Sequence, residues 1–278
     1  MHVLIVAVKA ADLPQTWSTL TRMADDHIQP IRRVAISIAM GGEARGLLEE
    51  FSMHAEGPLV EGLSPVWYSC RVPGTVDLDV AVVTAGTDPE HGVDRIGTEA
   101  AVLGVAGIHA LWTPDLLLNA GTCGGFEARG GAIGKLYLAS EAFVFHGRRI
   151  PLPGFEALGE GRIPAMNADA ARAVFGAERG IVSTSNSFTA TAEELAFFVQ
   201  ERVAAKDMEA AAIARVARDL GLPFLSLKGV TDLVDHHEAE EAAFLRNYEG
   251  VVDRLTASMV RFIRWLGDGR TKEDLAGT

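Results

Sequence analysis

The chain has 278 residues, with 25 lysines and arginines against 37 aspartates and glutamates, which gives a formal net charge of −12. This acidic balance argues against a nucleic-acid-binding protein, because such proteins carry a basic surplus on their contact face. Hydrophobic residues make up 48% and charged residues 22% of the chain, a globular composition that excludes wholesale disorder. A chain of this length is expected to bury about three quarters of its unfolded surface, enough for a core without disulfides or metals.

Cysteine usage and hydropathy predict a protein of a reducing compartment. The two cysteines, Cys70 and Cys123, cannot form a disulfide framework, and no ladder of cysteines and histidines indicates zinc. The apolar residues 1–8 lack a basic leader and run into Lys9, which makes them a poor signal peptide. No apolar run approaches the roughly 18 residues that a membrane span requires. We therefore expect a cytoplasmic protein that binds neither membranes nor nucleic acids.

Short apolar runs alternate with helix-like segments along the chain. The predicted strands are residues 34–39, 78–84, 116–119, 137–139, 180–183 and 224–230. The predicted helices are residues 43–51, 93–111, 168–174, 192–203, 208–220 and 241–267. This alternation predicts an α/β layer architecture with a mostly parallel sheet. Ligands bind beyond the carboxyl ends of the strands in such sheets, so acids that follow these runs are candidates for a site.

The first 33 residues do not fit this alternation. They predict an extra strand over residues 3–8, an extra helix near residues 13–24 and a link through Pro30.

A glycine-rich segment, residues 119–126 (NAGTCGGF), follows one of the predicted strands. Its three glycines allow tight turns and let backbone N–H groups come close to a ligand. It lacks the Gly-Lys-Ser/Thr ending of a triphosphate-binding loop and the GxGxxG spacing of a dinucleotide site. Taken alone, the segment favours a sharp turn from strand to loop.

Residues 206–214 (KDMEAAAIA) predict the start of a helix, because alanine is the strongest helix former and Asp207 can act as a cap. Glu209 has two interpretations. It can complement the helix dipole, or it can face the cleft at the strand ends and accept hydrogen bonds from a ligand's hydroxyl groups.

Residues 224–232 (FLSLKGVTD) predict a buried strand that ends in Asp232. We expect desolvation between Val230 and Leu233 to raise the pKa of this carboxyl group. Such a group suits a general acid near neutral pH, while a role as a helix cap or loop acid stays equally open.

Two further clusters predict no site. Residues 235–238 (DHHE) have the residue types of metal ligands, but adjacent histidines point apart on a helix, and a solvated loop is favoured. Arg148 and Arg149 precede an Ile-Pro-Leu-Pro run and favour packing or an interface over phosphate binding.

Together these segments resemble the nucleoside phosphorylase/nucleosidase superfamily. Residues 119–126, 206–214 and 230–235 occur in its order and spacing. Residues 145–153 (FHGRRIPLP) and 228–235 (KGVTDLVD) resemble its 5′-methylthioadenosine/S-adenosylhomocysteine nucleosidases, especially the plant type. The resemblance implies a single three-layer α/β/α domain with a mixed, mostly parallel central sheet. It also implies hydrolysis of the N-glycosidic bond of 5′-methylthioadenosine, with release of adenine and with no metal or cofactor.

The family's Ala-Met-x-x-Glu motif, whose glutamate holds the attacking water, follows the family's first strand. The strand at residues 3–8 is followed by Lys9-Ala-Ala-Asp12, which has neither Met nor Glu in register. The strand at residues 34–39 is followed by Met40-Gly-Gly-Glu43, which matches. The resemblance therefore implies a nucleosidase domain over residues 34–278 and an N-terminal extension of unknown role over residues 1–33.

The resemblance implies roles for three acids. Asp232 would protonate N7 of adenine, Glu43 would orient and deprotonate the water, and Glu209 would bind the ribose 2′- and 3′-hydroxyl groups. An acid at the leaving group and a base at the water suit the oxocarbenium-like state of glycoside cleavage. The implied substrate contacts are Met40 and Met208 at the sugar, Phe188 and the Thr189 backbone at the purine, and Cys123 and Gly124 along the nucleoside.

Three alternatives stay open beside this function. The chain could be a phosphorylase of the superfamily, another purine-nucleoside hydrolase such as one acting on futalosine, or a silent nucleoside-binding protein. Phosphorylases place basic and Gly-rich phosphate contacts where this chain has Glu43, so the acid favours water. The presence of all three acids argues against a silent protein. Whether S-adenosylhomocysteine is accepted depends on the shape of the 5′ pocket.

The resemblance also implies a homodimer, because the family's 5′ pocket is completed by a neighbouring subunit. Residues 145–159 resemble the contributing loop, and an apolar loop of this kind is costly to leave in water. We therefore expect Phe155 or its neighbours to approach the partner's substrate site.

Overall fold

The computed structural model describes residues 29–277, with the backbone alone at residue 160. The strands in this part of the chain are β1 Arg33–Ile38, β2 His54–Pro58, β3 Val66–Arg71, β4 Asp79–Thr84, β5 Leu116–Gly125, β6 Leu136–Phe145, β7 Ile163–Pro164, β8 Glu178–Thr184, β9 Val203–Asp207 and β10 Phe224–Leu233. The α-helices are α1 Gly41–Glu50, α2 Thr98–Trp112, α3 Glu156–Glu160, α4 Asp169–Phe175, α5 Ala192–Glu201, α6 Ala210–Asp219, α7 Glu240–Leu266 and α8 Lys272–Ala276.

All ten strands belong to one mixed sheet with the order β10-β6-β8-β9-β5-β1-β4-β3-β2, and β7 pairs with β6. The neighbours β4, β1, β5 and β10 run parallel, because β5 pairs with β10 as well as with β1. That additional pairing links β5, β9, β8, β6 and β10 into a closed circuit. The carboxyl ends of β1, β5 and β10 therefore meet at one place.

Helices cover both faces of the sheet. Along β1, the side chains of Val34, Ile36 and Ile38 join the hydrophobic cluster that contains residues of α1, α4 and α7. The side chain of Ala35 points the other way, into the cluster with residues of α2 and α6. Residues 34–38 of β1 are therefore buried on both faces, as in a strand that lies between two helical layers. The predicted three-layer α/β class is confirmed.

The boundary predicted at residue 34, between the N-terminal extension and the main domain, falls inside packed structure. Ile31 is buried, and its N–H donates to the carbonyl of Arg270 (2.7 Å). Pro30 forms a bridge with Thr271, next to α8. The strand and helix predicted for residues 3–8 and 13–24 lie outside the described residues.

The glycine-rich segment is strand and not a turn, so that prediction was wrong. β5 continues as far as Gly125, and β10 continues to Leu233, so the two strands pair along their full length. A Cβ on Gly125 would lie 2.7 Å from Cγ1 of Val230, which is closer than real Cβ contacts come. The glycines therefore serve the close approach of β10 to β5.

The helix predicted to open near Lys206 begins later. Lys206 and Asp207 end β9, which pairs with β8 and β5, and α6 starts at Ala210. Asp207 still acts as predicted at the helix start, because its Oδ2 accepts from the N–H of Ala210 (2.9 Å).

The sheet also extends beyond the predicted strands. β2 and β3 form an antiparallel hairpin on the outer side of β4. β2 is largely exposed and mixes polar residues with glycine and proline, so its sequence carries no apolar run.

Candidate active site

A cavity of about 200 Å³ opens where β1, β5, β9 and β10 end. Its position agrees with the rule that ligands of α/β sheets bind beyond the strand carboxyl ends. The lining residues are Ala39, Met40, Glu43, Ile96, Ala120, Gly121, Thr122, Cys123, Gly124, Ser187, Phe188, Lys206, Asp207, Met208, Glu209, Thr231, Asp232 and Phe244.

Glu43 reaches the cavity from the first turn of α1, just beyond the end of β1. Its Oε1 accepts hydrogen bonds from the backbone N–H (2.7 Å) and the hydroxyl (2.8 Å) of Thr122. Burial raises the pKa of Glu43, while these hydrogen bonds and the positive charge of Lys228 act to lower it. Gly121 leaves room for the side chain, since a Cβ there would lie 3.3 Å from Oε2 of Glu43.

Glu209 lies between β9 and α6 and is buried. Its Oε1 accepts from the N–H of Gly97 (3.0 Å), the residue before α2. The backbone of Gly97 has φ +95°, a conformation that favours glycine. Burial raises the pKa of Glu209, Lys228 opposes that shift, and the negative charges of Asp207 and Glu43 add to it.

Asp232 lies inside β10, where the register against β5 shifts between Val230 and Asp232. Such a bulge re-aims the side chains of a strand. Only 2% of Asp232 is exposed, and its Oδ1 accepts from the Thr231 hydroxyl (2.8 Å). Burial raises the pKa of Asp232 from 3.8 to about 6, so the predicted direction is confirmed.

A buried ion pair lies beside these acids. Nζ of Lys228 is 2.8 Å from Oδ2 of Asp207, and each side chain is 1% exposed. The Thr184 hydroxyl donates to the other oxygen of Asp207 (2.5 Å). Desolvation would lower the pKa of Lys228, but the carboxylates of Asp207, Glu209 and Glu43 raise it above its ordinary value. The ammonium group thus stays charged among three acids.

Two aromatic rings and a lysine also line the cavity. Phe188, in the β8–α5 link, meets Phe244 of α7 edge to face with centroids 5.6 Å apart. Nζ of Lys206 lies 5.5 Å from the Phe188 ring centroid and donates to the Phe188 carbonyl. The two rings form an apolar aromatic wall that suits a ring-shaped ligand.

The structure brings most of the predicted site residues together. Glu43, Glu209 and Asp232 line the cavity together with Met40, Cys123, Gly124, Phe188 and Met208. Burial raises the pKa of the Cys123 thiol well above its ordinary value, so this sulfur is kept protonated. Thr189 is exposed and does not belong to the lining, and Phe155 is 49% exposed outside it.

Other residues of the site were missed by sequence reasoning. Phe244 comes from α7, where it belongs to an ordinary amphipathic pattern with no distinguishing motif. Lys228 lies in a predicted strand and in a segment that resembles the family, with no role implied for its side chain. A lysine in a buried apolar run is nevertheless a usable signal, because lysine is rarely buried without a partner. Thr122 and Lys206 lie within segments that resemble the superfamily, but the resemblance implies no role for either.

The two clusters that predicted no site stay outside the cavity. The Asp235 carboxylate accepts from the N–H groups of Glu127 and Ala128 (2.7 and 2.9 Å), and the rings of His236 and His237 lie 3.9 Å apart. Within residues 29–277, no group of three or more His, Cys, Asp or Glu side chains could hold a metal ion. No helix in that range is long and apolar enough to cross a membrane.

The arrangement can carry out acid–base chemistry on one ligand. A carboxyl group with a pKa of about 6 on one side is able to donate a proton near neutral pH. Glu43, whose Oε1 is held by Thr122, is placed to bind and deprotonate a water through its other oxygen, and Glu209 retains an oxygen for hydroxyl groups.

Comparisons with known proteins agree with one another. The family model described as the phosphorylase superfamily matches residues 33–264. A 5′-methylthioadenosine nucleosidase of Arabidopsis thaliana is 36% identical over 251 residues, which cover 89% of this chain and 92% of that protein. A 5′-methylthioadenosine/S-adenosylhomocysteine nucleosidase of the same plant is 31% identical over 250 residues, which cover 89% of this chain and 96% of that protein. The solved apo structure of the Arabidopsis thaliana 5′-methylthioadenosine nucleosidase has a TM-score of 0.84 at 35% identity, covering 89% of this chain and 100% of that one.

Proposed function

Because this chain belongs to the phosphorylase superfamily, we propose that it is an N-glycosyl hydrolase that cleaves 5′-methylthioadenosine and releases adenine. Its similarity to two plant nucleosidases over 89% of its length supports this substrate. The observation that carries the proposal is the convergence of three buried carboxyl groups, those of Glu43, Glu209 and Asp232, on one cavity.

In this reaction Asp232 gives its proton to N7 of the purine. The electron pair of the breaking C1′–N9 bond then moves into a neutral adenine, while positive charge develops on the sugar. Burial holds the Asp232 carboxyl group protonated to a higher pH than an exposed aspartate, as a general acid requires.

Glu43 accepts a proton from the water whose oxygen forms the new bond to C1′. The Thr122 hydrogen bonds fix one carboxylate oxygen, which leaves the other free for the water. Glu209, held by Gly97, binds the 2′- and 3′-hydroxyl groups. The negative charge of both carboxylates also stabilises the cationic sugar, which develops its charge only in the transition state.

Phosphorolysis is the less favoured alternative. A phosphate anion at this position would face the Glu43 and Glu209 carboxylates. The two lysines near the cavity do not offset that repulsion, since Lys228 is paired with Asp207 and Lys206 with Glu240, both at 2.8 Å. Water is therefore the nucleophile that the charges favour.

The substrate assay compares two thioethers. Adenine release from 5′-methylthioadenosine should be rapid, and the same measurement with S-adenosylhomocysteine reports whether the 5′ pocket accepts the longer substituent. An enzyme that releases no adenine from either compound would contradict the proposed function.

We further propose a homodimer in the cytoplasm. Large exposed apolar side chains lie along α2 and on the β2–β3 link, namely Val60, Leu63, Leu103 and Leu111. The β2–β3 link packs on α2. A Cβ atom added to Gly104 would contact Pro65, and one added to Gly107 would contact Leu59. Ile96, exposed by 47%, lines the cavity just before α2, so a second copy on this surface would lie at the cavity mouth. The two free cysteines support a reducing compartment.

A further inference from the structure

Lys206 and Glu240 form an ion pair at the edge of the cavity that the mechanism above does not use. Nζ of Lys206 lies 2.8 Å from Oε2 of Glu240, and the two side chains are 5% and 12% exposed. Nζ also donates to the carbonyl oxygen of Phe188. A buried lysine without a partner would be costly, so the pair and the carbonyl hold this side chain in one place.

The pair connects three separate parts of the fold. Lys206 is in β9, Phe188 is in the β8–α5 link, and Glu240 is the first residue of α7. The other oxygen of Glu240 accepts from the N–H of Ala190 (3.4 Å), which adds a second tie between α7 and the link. α7 also carries Phe244, so the pair ties together the two segments that bear the aromatic rings of the cavity.

The pair also lies close to Asp232. A Cβ added to Gly124 would lie 2.9 Å from Oδ2 of Asp232 and 3.4 Å from Cε of Lys206, so the two side chains converge over this glycine. The charge of Lys206 favours the ionised form of Asp232, and the charge of Glu240 favours the protonated form. The buried Cys123 thiol also faces the Asp232 carboxyl group, and it stays neutral.

We propose that Lys206 and Glu240 are positioning residues, which set the proton occupancy of Asp232 and hold the Phe188 segment over the purine. This inference rests on the proposed function of Asp232 as the general acid. It follows from the opposite signs of two charges that act on one carboxyl group and from the link that both residues make to the segment 188–190.

The test measures kcat/KM for adenine release from 5′-methylthioadenosine across pH in single and double variants. Glu240→Gln removes the negative charge, so Asp232 should lose its proton at lower pH, and the alkaline decline should move down by about one pH unit. Lys206→Met removes the positive charge, so the decline should move up by a similar amount. The KM of the Lys206→Met variant should also rise, because the Phe188 carbonyl loses the hydrogen bond from Lys206. The double variant should return the decline toward the wild-type position.

Glu193→Gln is the matched control. Glu193 is an exposed glutamate whose partner is Arg149 on the surface, and it should leave the pH profile unchanged. A merely structural role of the pair would lower activity at every pH without moving the decline. An unmoved decline in Glu240→Gln, or movement in the same direction in both single variants, would overturn the inference.

A second readout separates this inference from the proposed function. The carboxyl ¹³C resonance of Asp232, assigned by its absence in Asp232→Asn, reports the titration of the group directly. If the wild-type chain released no adenine, the proposed function would fail. Opposite shifts of this titration in the two variants would still support the proposed effect of Lys206 and Glu240 on Asp232. Identical titration in the wild type and in Glu240→Gln would refute that effect.

Discussion

At the residue scale, the position of Asp232 in β10 determines what its carboxyl group can do. The bulge between Val230 and Asp232 aims the side chain into the cavity, and burial raises its pKa to about 6. The protonated form is the active one for an acid, so activity that depends on it is greatest below that pH and declines above it.

Asp232→Asn should lower adenine release by about 100- to 10,000-fold, because the amide keeps the shape of the side chain but has no acidic proton. Substrate binding and the melting temperature should change little, and the alkaline decline of kcat/KM should disappear from the residual activity. Steady-state kinetics and direct binding of 5′-methylthioadenosine check this. Turnover near the wild-type level would remove Asp232 from its role.

Glu43→Gln should abolish hydrolysis, since the water loses its base while the Thr122 contacts can still form to the amide oxygen. Asp12→Asn is the matched control, because Asp12 follows the other candidate strand of the sequence and should hardly matter. The comparison is made at saturating substrate. The reverse order of effects would mean that the base comes from the N-terminal segment.

At the element scale, the pairing of β5 with β10 builds the site. A Cβ on Gly124 would lie 2.6 Å from Cγ2 of Val234 and 2.9 Å from Oδ2 of Asp232. The absence of a side chain there lets the acid and its strand come close to β5.

Gly124→Ala should therefore destabilise the fold by about 1–3 kcal/mol through overpacking. It should also lower kcat/KM by about 100-fold, because the acid is displaced from its productive position. Gly250→Ala is the matched control: it lies within α7 with nothing within 4 Å of the added Cβ, and should stabilise the helix by about 0.5–1 kcal/mol. Denaturant unfolding and kinetics of both variants check this. Full activity in Gly124→Ala would contradict the close-packed account.

The elements also show how far sequence reasoning reaches. The buried strands β1, β4 and β10 and the long helix α7 were predictable, because their apolar patterns are strong and continuous. The glycines of β5 and the start of α6 were not, because long-range pairing with β10, β8 and β9 overrode local preference. The same holds for the site. Motifs indicated the three acids, but only the fold places Phe244 and Lys228 beside them.

At the scale of the whole molecule, the exposed apolar side chains on α2 and the β2–β3 link form the surface through which the proposed homodimer would assemble. Sedimentation should show a species of about twice 29.6 kDa. Leu103→Asp should shift this species toward monomers, whereas Val199→Asp, a matched change at a 72% exposed position on α5, should not.

Phe155→Ala tests the loop that is expected to reach the partner's site. It should keep the dimer and change the preference among 5′-substituents. An unchanged preference would remove only Phe155 from the pocket. A fully active monomer at 29.6 kDa would rule out the dimer altogether.

The nucleophile decides between the hydrolase and its phosphorolytic relatives, and one measurement identifies it. The wild-type enzyme is given 5′-methylthioadenosine with and without inorganic phosphate, and the adenine and sugar products are quantified by mass spectrometry. The proposed role of Glu43 as the base for water predicts equal rates of adenine release in both mixtures, with free 5-methylthioribose as the sugar product. Release that depends on phosphate and yields the sugar 1-phosphate would contradict the account.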